Sequence, residues 1–279
     1  MTKTKSLACL VYLLIAVNEP ALAQYWTSQL SSTTATLYSL KAVNATTVWV
    51  CGSSGTVLRT TDGGSTWISR NIPNAATQSC ESIDAFDANT ASVVAYTAGT
   101  PTSTSATYKT TDGGSSWTVQ YSSSATGNYF DAIRYYDALT GLMVGDPEGG
   151  YFHIATTTNG GTTWTRTGSA AIPVPKTTAF GTEYSITNNL AIFGTNAWFG
   201  TSGAADSLNI IPRVYRSADR GKTWSVSSNI SGLGGGGINT TSFGSATVGF
   251  VGGANGKIAR TTDGGVTWGA PLATGLRSI

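Results

Sequence analysis

The sequence predicts an all-β fold, a β-propeller of four-stranded antiparallel blades, and two observations carry that prediction. Five eight-residue segments align with one another: Thr60-Thr61-Asp62-Gly63-Gly64-Ser65-Thr66-Trp67, then residues 110–117, 157–164, 217–224 and 261–268, each closing on a tryptophan. The tryptophans fall 50, 47, 60 and 44 residues apart. Self-similarity at about 40 to 50 residues marks solenoids, propellers or arrays. Between the segments the chain reads as short Val/Phe/Thr-rich strands separated by Gly, Asn and Ser, with no helical period. That pattern selects a blade over a pair of helices.

In the first unit the strands fall at residues 38–43, 48–52 and 56–60, the Asp-Gly-Gly turn follows, and a fourth strand opens with Trp67. Later units open at Ser82-Ile83, Ala132-Ile133, Ser185-Ile186 and near Thr240-Thr241. The blades are expected near 37–72, 81–121, 131–168, 184–229 and 238–272. Residues 204–212 stretch the fourth unit and read as a loop between its second and third strands.

A propeller closes, because an open last blade leaves an unpaired edge. Residues 25–30 read like a fourth strand, with Trp26 standing where the repeat tryptophans stand. Leu276-Arg277-Ser278-Ile279 matches Leu37-Tyr38-Ser39-Leu40, the opening of the first unit. The expectation is therefore five blades plus the start of a sixth, in a propeller of six or seven blades, with a gap between the first and last.

Residues 1–23 read as an export signal. Lys3 and Lys5 precede an apolar core at residues 7–17, and Ala21-Leu22-Ala23 supplies the small residues of a cleavage site. Cys9 lies inside that core, which excludes a lipoprotein site there. No later stretch approaches the roughly 20 apolar residues of a spanning helix. The mature chain is expected to start near Gln24 and to work outside the cytoplasm, secreted or periplasmic. Without Lys3, Lys5 and Glu19, 14 basic and 13 acidic side chains remain, a balance that selects neither nucleic acid nor an anionic membrane. Two cysteines then remain, Cys51 and Cys80, an even pair that fits either a disulfide or two separate buried thiols.

The repeated Ser/Thr-x-Asp-x-Gly-x-Thr-Trp segment resembles the Asp-box, or BNR, repeat of sialidases, sortilin-type receptors and some xyloglucan-cleaving enzymes. The fuller pattern from Gly55 to Trp67 is most similar to the photosystem II stability/assembly factor family, which has many secreted bacterial relatives. The resemblance covers the mature chain. It implies a chaperone-like or scaffolding propeller with a protein or glycan partner and no cofactor. Its rival implication is a glycoside hydrolase of the Asp-box propeller type, acting on extracellular polysaccharide.

The box residues read as scaffold. A carboxylate in a hairpin turn accepts from backbone N–H groups that would otherwise go unpaired. Asp62, Asp112, Asp219 and Asp263 stand in four copies and Asn159 in the other. Asn keeps the acceptor and loses the charge, a swap that a turn accepts and a metal ligand or general acid does not. The fifth box residue is always Gly, which calls for positive φ. The preceding position carries Arg220 in one copy and is expected not to need it. Trp67, Trp117, Trp164, Trp224 and Trp268 pack under the turns, each with one N–H to satisfy.

Catalytic motifs are scarce. His153 is the one histidine, so neither a Zn site nor a Ser-His-Asp triad can be assembled around clustered ligands. The glycine run at residues 234–237 lacks the strand-to-helix setting of a phosphate loop and reads as a flexible loop. A sialidase would need three arginines clamping a substrate carboxylate together with a Tyr-Glu pair and an Asp. Arg59, Arg216 and Arg260 instead share one repeat offset, Arg70 and Arg166 fall on outer strands, and Arg220 sits in a turn; Arg134, Arg213 and Arg277 are left. A glycosidase needs two carboxyl groups about 5 to 10 Å apart, for which Asp131, Asp146 and Glu148 of the third unit and Asp84 of its neighbour are the candidates; their other reading is exposed charge at a turn. Along the innermost strands Lys41, Asp84 and Arg134 follow the shared Leu40, Ile83 and Ile133, with Thr187 and Thr241 in the later copies. That column reads either as a channel-face binding surface or as a solvated one. The candidate binding residues are therefore Lys41, Asp84, Asp131, Arg134, Asp146 and Glu148, with no metal ligands.

Overall fold

The computed structural model describes residues 27–97, 104–123, 128–179, 181–203, 205–206, 209–210, 212–233, 237–253 and 256–273. The export signal, Trp26, most of the glycine run and the 276–279 segment lie outside the described residues. Strands β1 (Leu37–Ala42), β2 (Val48–Gly52), β3 (Val57–Thr60) and β4 (Ile68–Ser69) form the first antiparallel blade. The second is β5 (Gln78–Ala85), β6 (Ala91–Thr97), β7 (Ser105–Thr110) and β8 (Thr118–Ser123). The third is β9 (Phe130–Tyr135), β10 (Gly141–Glu148), β11 (Tyr151–Thr157) and β12 (Thr165–Arg166). A short hairpin, β13 (Thr177–Thr178) and β14 (Gly181–Thr182), leads into β15 (Tyr184–Phe193) and β16 (Asn196–Ser202). The insertion carries a second hairpin, β17 (Ala205–Asp206) with β18 (Asn209–Ile210), before β19 (Val214–Ser217) and β20 (Ser225–Val226) complete the fourth blade. The fifth is β21 (Ile238–Phe243), β22 (Gly249–Gly253), β23 (Lys257–Thr261) and β24 (Leu272–Ala273). Five blades stand in a propeller, with their innermost strands β1, β5, β9, β15 and β21 packed in succession.

The core lies in layers between blades. Trp49, Cys51 and Val57 of the first blade pack on Ile83, Val93 and Ala95 of the second. Val94 meets Phe130, Ile133 and Met143 at the next boundary. Leu142 and Phe152 meet Phe199 and Tyr215, and Trp198 meets Val251 and Phe243. Each fully buried side chain of this size contributes about 1.5–3 kcal/mol, so every blade is held mainly by its neighbours.

The box turns sit at these boundaries. In the second blade the Asp112 carboxylate accepts the Ser116 N–H at 2.9 Å and the Ser116 hydroxyl at 2.6 Å, while Thr110 Oγ1 accepts the Gly114 N–H at 2.9 Å. The Trp117 indole N–H donates to the Arg70 carbonyl of the preceding blade at 2.9 Å. Both box glycine positions adopt positive φ, which corrects the expectation for the first of them: Arg220 lies at +61°. That value is the left-handed well an L-residue can enter at modest strain. Arg220 is held there by Asp137 and Thr140, at 2.9 and 3.1 Å. The second position lies at +81° to +88° and meets a close neighbour; a Cβ on Gly114 would stand 2.6 Å from Arg70 Cβ.

One open alternative is decided and one further expectation is corrected. Cys51 and Cys80 are free, buried thiols, not a disulfide, and the Cys51 thiol donates to the Cys80 carbonyl at 3.2 Å. Burial raises the Cys80 thiol to about 12 and the Cys51 thiol well above its usual range. The described part of the supposed N-terminal strand, residues 27–30, is not extended sheet. Gln29 nevertheless touches the first box, donating to the Gly63 carbonyl at 3.1 Å and accepting the Trp67 indole N–H at 3.3 Å. It thus occupies the place that Arg70 takes against the second box.

Candidate functional site at one end of the propeller axis

The inner strands set the geometry of the centre. Pairing with the second strands aligns Leu40, Ile83, Ile133, Leu190 and Thr241 as equivalents. The column after them is therefore Lys41, Asp84, Arg134, Ala191 and Ser242, which corrects the assignment of Thr187 and Thr241 to it. For Thr187 the cause is a bulge in β15, whose register to β16 breaks between Ser185 and Leu190; Thr241 stands one residue earlier than the column, opposite Val251. Residues 186–189 stand against the single Gly200, three more than the ladder needs, and Asn188, in the left-handed region at φ +57°, reaches the axis. Asn188 Oδ1 there accepts Ser39 Oγ at 3.0 Å, Ser82 Oγ at 3.3 Å and Arg134 Nη2 at 2.6 Å, joining four blades at one oxygen.

Lys41, Asp84 and Arg134 are consequently ties between blades. Asp84 is buried, pairs with Lys41 at 2.7 Å and accepts the Tyr135 N–H at 2.8 Å. Arg134 donates to Ser82 and to the carbonyls of Ile83 and Ile133 as well as to Asn188. Glu148 belongs to a separate network: His153 Nδ1 lies 2.6 Å from it, Asn128 Nδ2 3.0 Å and Arg166 Nη1 3.2 Å. Tyr121 OH lies 3.1 Å from His153 Nε2. Burial lowers the histidine's basicity, so the ring is neutral, donating from Nδ1 to Glu148 and accepting the Tyr121 hydroxyl at Nε2. Arg213 is tied to the buried Glu183, which also accepts Tyr215 OH at 3.2 Å. Glu183 and Tyr215 are fully buried, out of reach of any substrate.

Asp131 and Asp146 are brought together. Both carboxylates accept the Ser185 hydroxyl, and Asp146 also accepts the Ser185 N–H at 3.0 Å. Burial and the Asp146 charge push Asp131 well above the usual carboxylate range, and burial raises Asp146 to about 7. They line a cavity of about 350 Å³ with Tyr96, Tyr129, Tyr184, Thr187 and Asn239. It opens where β9, β15 and β21 begin, at one end of the axis. Glu81, buried on β5, closes its inner side by accepting Thr187 Oγ1 and the Tyr96 hydroxyl. Tyr96, Tyr129, Tyr184, Ser185 and Glu81 carry no motif. Their one signal is Glu81, a carboxylate beside Cys80 in a strand that also carries Asp84. Among the described residues no cluster of His, Cys, Asp and Glu could hold a metal ion, and no helix is long and apolar enough to cross a membrane.

The class is thus a five-blade Asp-box propeller whose centre is filled from its own fourth blade and whose open cavity is acidic and aromatic. A model of the family described as photosynthesis system II assembly factor YCF48 matches residues 18–233, and the chain belongs to that family. No curated protein matches. Among solved structures, a YCF48 bound to D1 peptide is similar at 20% identity and a TM-score of 0.58, over 88% of this chain and 69% of that one. A GH74 enzyme of Niastella koreensis is similar at 16% identity and 0.56, over 85% of this chain and 38% of that one. The GH93 α-L-arabinofuranosidase of Fusarium graminearum, with arabinobiose, gives 11% and 0.54, over 87% and 82%. At such identities these likenesses describe the fold.

Proposed function

We propose that this chain is a non-catalytic binding propeller that takes a segment of another polypeptide at the axis cavity, outside the cytoplasm, once residues 1–23 are removed. The observation that carries the reading is the filled centre. The β15 bulge leaves a cavity of about 350 Å³, at the small end of ligand sites. It is suited to one or two side chains of a strand laid across the axis. The family's assembly-factor role and the peptide-bound YCF48 support a polypeptide as the occupant; the identity of the segment is not carried over. Overlapping peptides from envelope proteins, arrayed and probed with the purified chain, test it. A subset should bind, and Tyr184→Ala should weaken that subset without unfolding the protein. No binding to any segment overturns the reading. The location is tested separately by mass spectrometry of the native protein, which should begin at Gln24; an uncleaved chain contradicts it.

One observation favours a second reading. Asp131 and Asp146 share a hydroxyl, and Asp146 is raised to about 7, as in the acid of a carboxylate-pair glycosidase. Turnover of xyloglucan or arabinan oligosaccharides, abolished by Asp146→Asn, would install that reading in place of the first.

A further inference from the structure

Two carboxyl groups line the axis cavity, the buried Asp131 on β9 and the half-buried Asp146 on β10, with the buried Glu81 on β5 bonded to Thr187 and Tyr96 of its wall, and none of the three forms an ion pair among the described residues. Elsewhere among the described residues Asp84 is paired with Lys41, Glu148 with Arg166 and Glu183 with Arg213. Arg134, on β9, is turned to Asn188 and to carbonyl oxygens, and the carboxylate acting on it is Asp84. A buried carboxylate without a counter-charge either holds a proton or waits for a cation. The walls fit the second case. Tyr96 and Tyr129 meet edge to face, with centroids 4.6 Å apart, and Tyr184, 44% exposed, stands at the rim. Tyrosine faces attract a cation through the ring quadrupole, more strongly once it is desolvated.

We propose that this cavity is the seat of one basic side chain of the bound polypeptide, an arginine or lysine enclosed by Tyr96, Tyr129 and Tyr184 and neutralised by Asp131 and Asp146. The proposal rests on the reading that the axis end takes a polypeptide, and it names the residue type that anchors it. A guanidinium suits the site best, because it stacks on an aromatic face and gives a planar fork of donors to carboxylate oxygens. A neutral sugar would give the pair no counter-charge as it ionises. Burial raises both carboxyl groups in the empty cavity, with the Asp146 charge adding to it at Asp131, so an arriving cation displaces a proton and binding strengthens as pH rises from 5 to 8. The other groups facing the pair are Glu81 from β5, Tyr96 from β6, Tyr129 ahead of β9, and Tyr184 and Ser185 from β15, with Asn239 from β21.

The test uses two capped glycine–serine heptapeptides, one with a central arginine and one with citrulline, which keeps the shape and loses the charge. Their affinities are measured by thermophoresis at pH 5 and pH 8. The arginine peptide should bind at least tenfold more tightly at pH 8, and the preference should vanish in the Asp131→Asn/Asp146→Asn double variant, whose amides retain acceptors for Ser185. Tyr184→Ala, at the exposed rim, should weaken the arginine peptide several-fold with its thermal unfolding unchanged. Equal affinity for the two peptides, a preference untouched by the double variant, or displacement by neutral oligosaccharide would overturn the seat. If arrayed segments bind but ignore these variants, the seat falls while polypeptide binding stands. If no arrayed segment binds, it is the polypeptide reading that falls.

Discussion

Asn159 explains what the third residue of each box does. In the Asp boxes the hydroxyl four residues on donates to the carboxylate, as Thr66 does to Asp62 at 2.6 Å. In the third blade Asn159 Nδ2 donates to Thr163 Oγ1 at 2.9 Å, so the hydroxyl reverses its role while Asn159 Oδ1 still accepts the Thr163 N–H at 2.9 Å. Two bonds to Oδ1 are common to both, from the backbone N–H four residues on and from the hydroxyl two residues before, and neither needs a charge. Asp112→Asn should therefore lower the urea midpoint only slightly. Trp117→Ala removes an indole that bridges to Arg70 and packs edge-on against Trp49, and should cost about 3–5 kcal/mol. Equal losses would contradict the turn account. The charged boxes also respond to acid: hydrogen bonds from Thr66, Ser116 and Thr267 hold Asp62, Asp112 and Asp263 at about 2. Their contribution is present above the ordinary carboxylate value near 4 and is lost as pH falls towards 2. Asp146 has the opposite sign. Its folded value, about 7, lies above the unfolded one, so its contribution is complete below pH 4 and is lost as pH rises through 7. Thermal unfolding of the wild type should weaken from pH 5 to pH 8, and Asp146→Asn should flatten that slope; an unchanged slope would show that the pair is not buried as described.

At the scale of elements, what was legible in the sequence followed the box. The turn, the strand before it and the tryptophan after it recur at fixed offsets, because the same backbone bonds must be made in each blade. The fourth inner strand was not legible, because its bulge lies far from the box and Ser185-Ile186-Thr187 reads as a strand locally, although Asn188 and Asn189 do not favour one. Only the pairing of Leu190 with Phe199 shows that they leave the sheet. Asp131 and Asp146 were visible as acids, but their meeting depends on Ser185, a residue of the next blade with no pattern of its own. Lys41, Asp84 and Arg134 were visible as a charged column; their engagement between blades was not, since side-chain reach across a boundary leaves no period. Two substitutions probe these elements. Asn188→Gly keeps the left-handed backbone but strands Arg134, Ser39 and Ser82, and should cost about 2–3 kcal/mol in chemical denaturation. Gly114→Ala places a methyl against Arg70 Cβ at positive φ and should cost about 1–3 kcal/mol. Gly113→Ala should cost less, because the atom it meets is the mobile end of Arg59.

Across the whole molecule the repeat provides its own control. Ile83 and Ile133 are fully buried against the preceding blade, whereas Leu40, their equivalent in the first blade, is 63% exposed. Leu37, Tyr38, Leu40 and Trp67 line a cavity of about 690 Å³ on that side. At the far side Phe250 stands where Trp49 stands in the first blade, and is 46% exposed. Strand β21 makes no contact with β1 comparable to those between the other neighbouring inner strands, which agrees with a gap between the first and last blades. Ile83→Thr should therefore destabilise by about 2–4 kcal/mol, while Leu40→Thr should change stability by about 0.5 kcal/mol or less; similar losses would mean that the first blade is covered. The binding claim itself is tested most directly by hydrogen exchange on the chain with and without the tightest segment from the peptide array. The account predicts slowed exchange at residues 129–131 and 184–187, around the axis cavity, with the outer strands unchanged. Protection confined to the open face of the first blade, or to the outer strands, would contradict it.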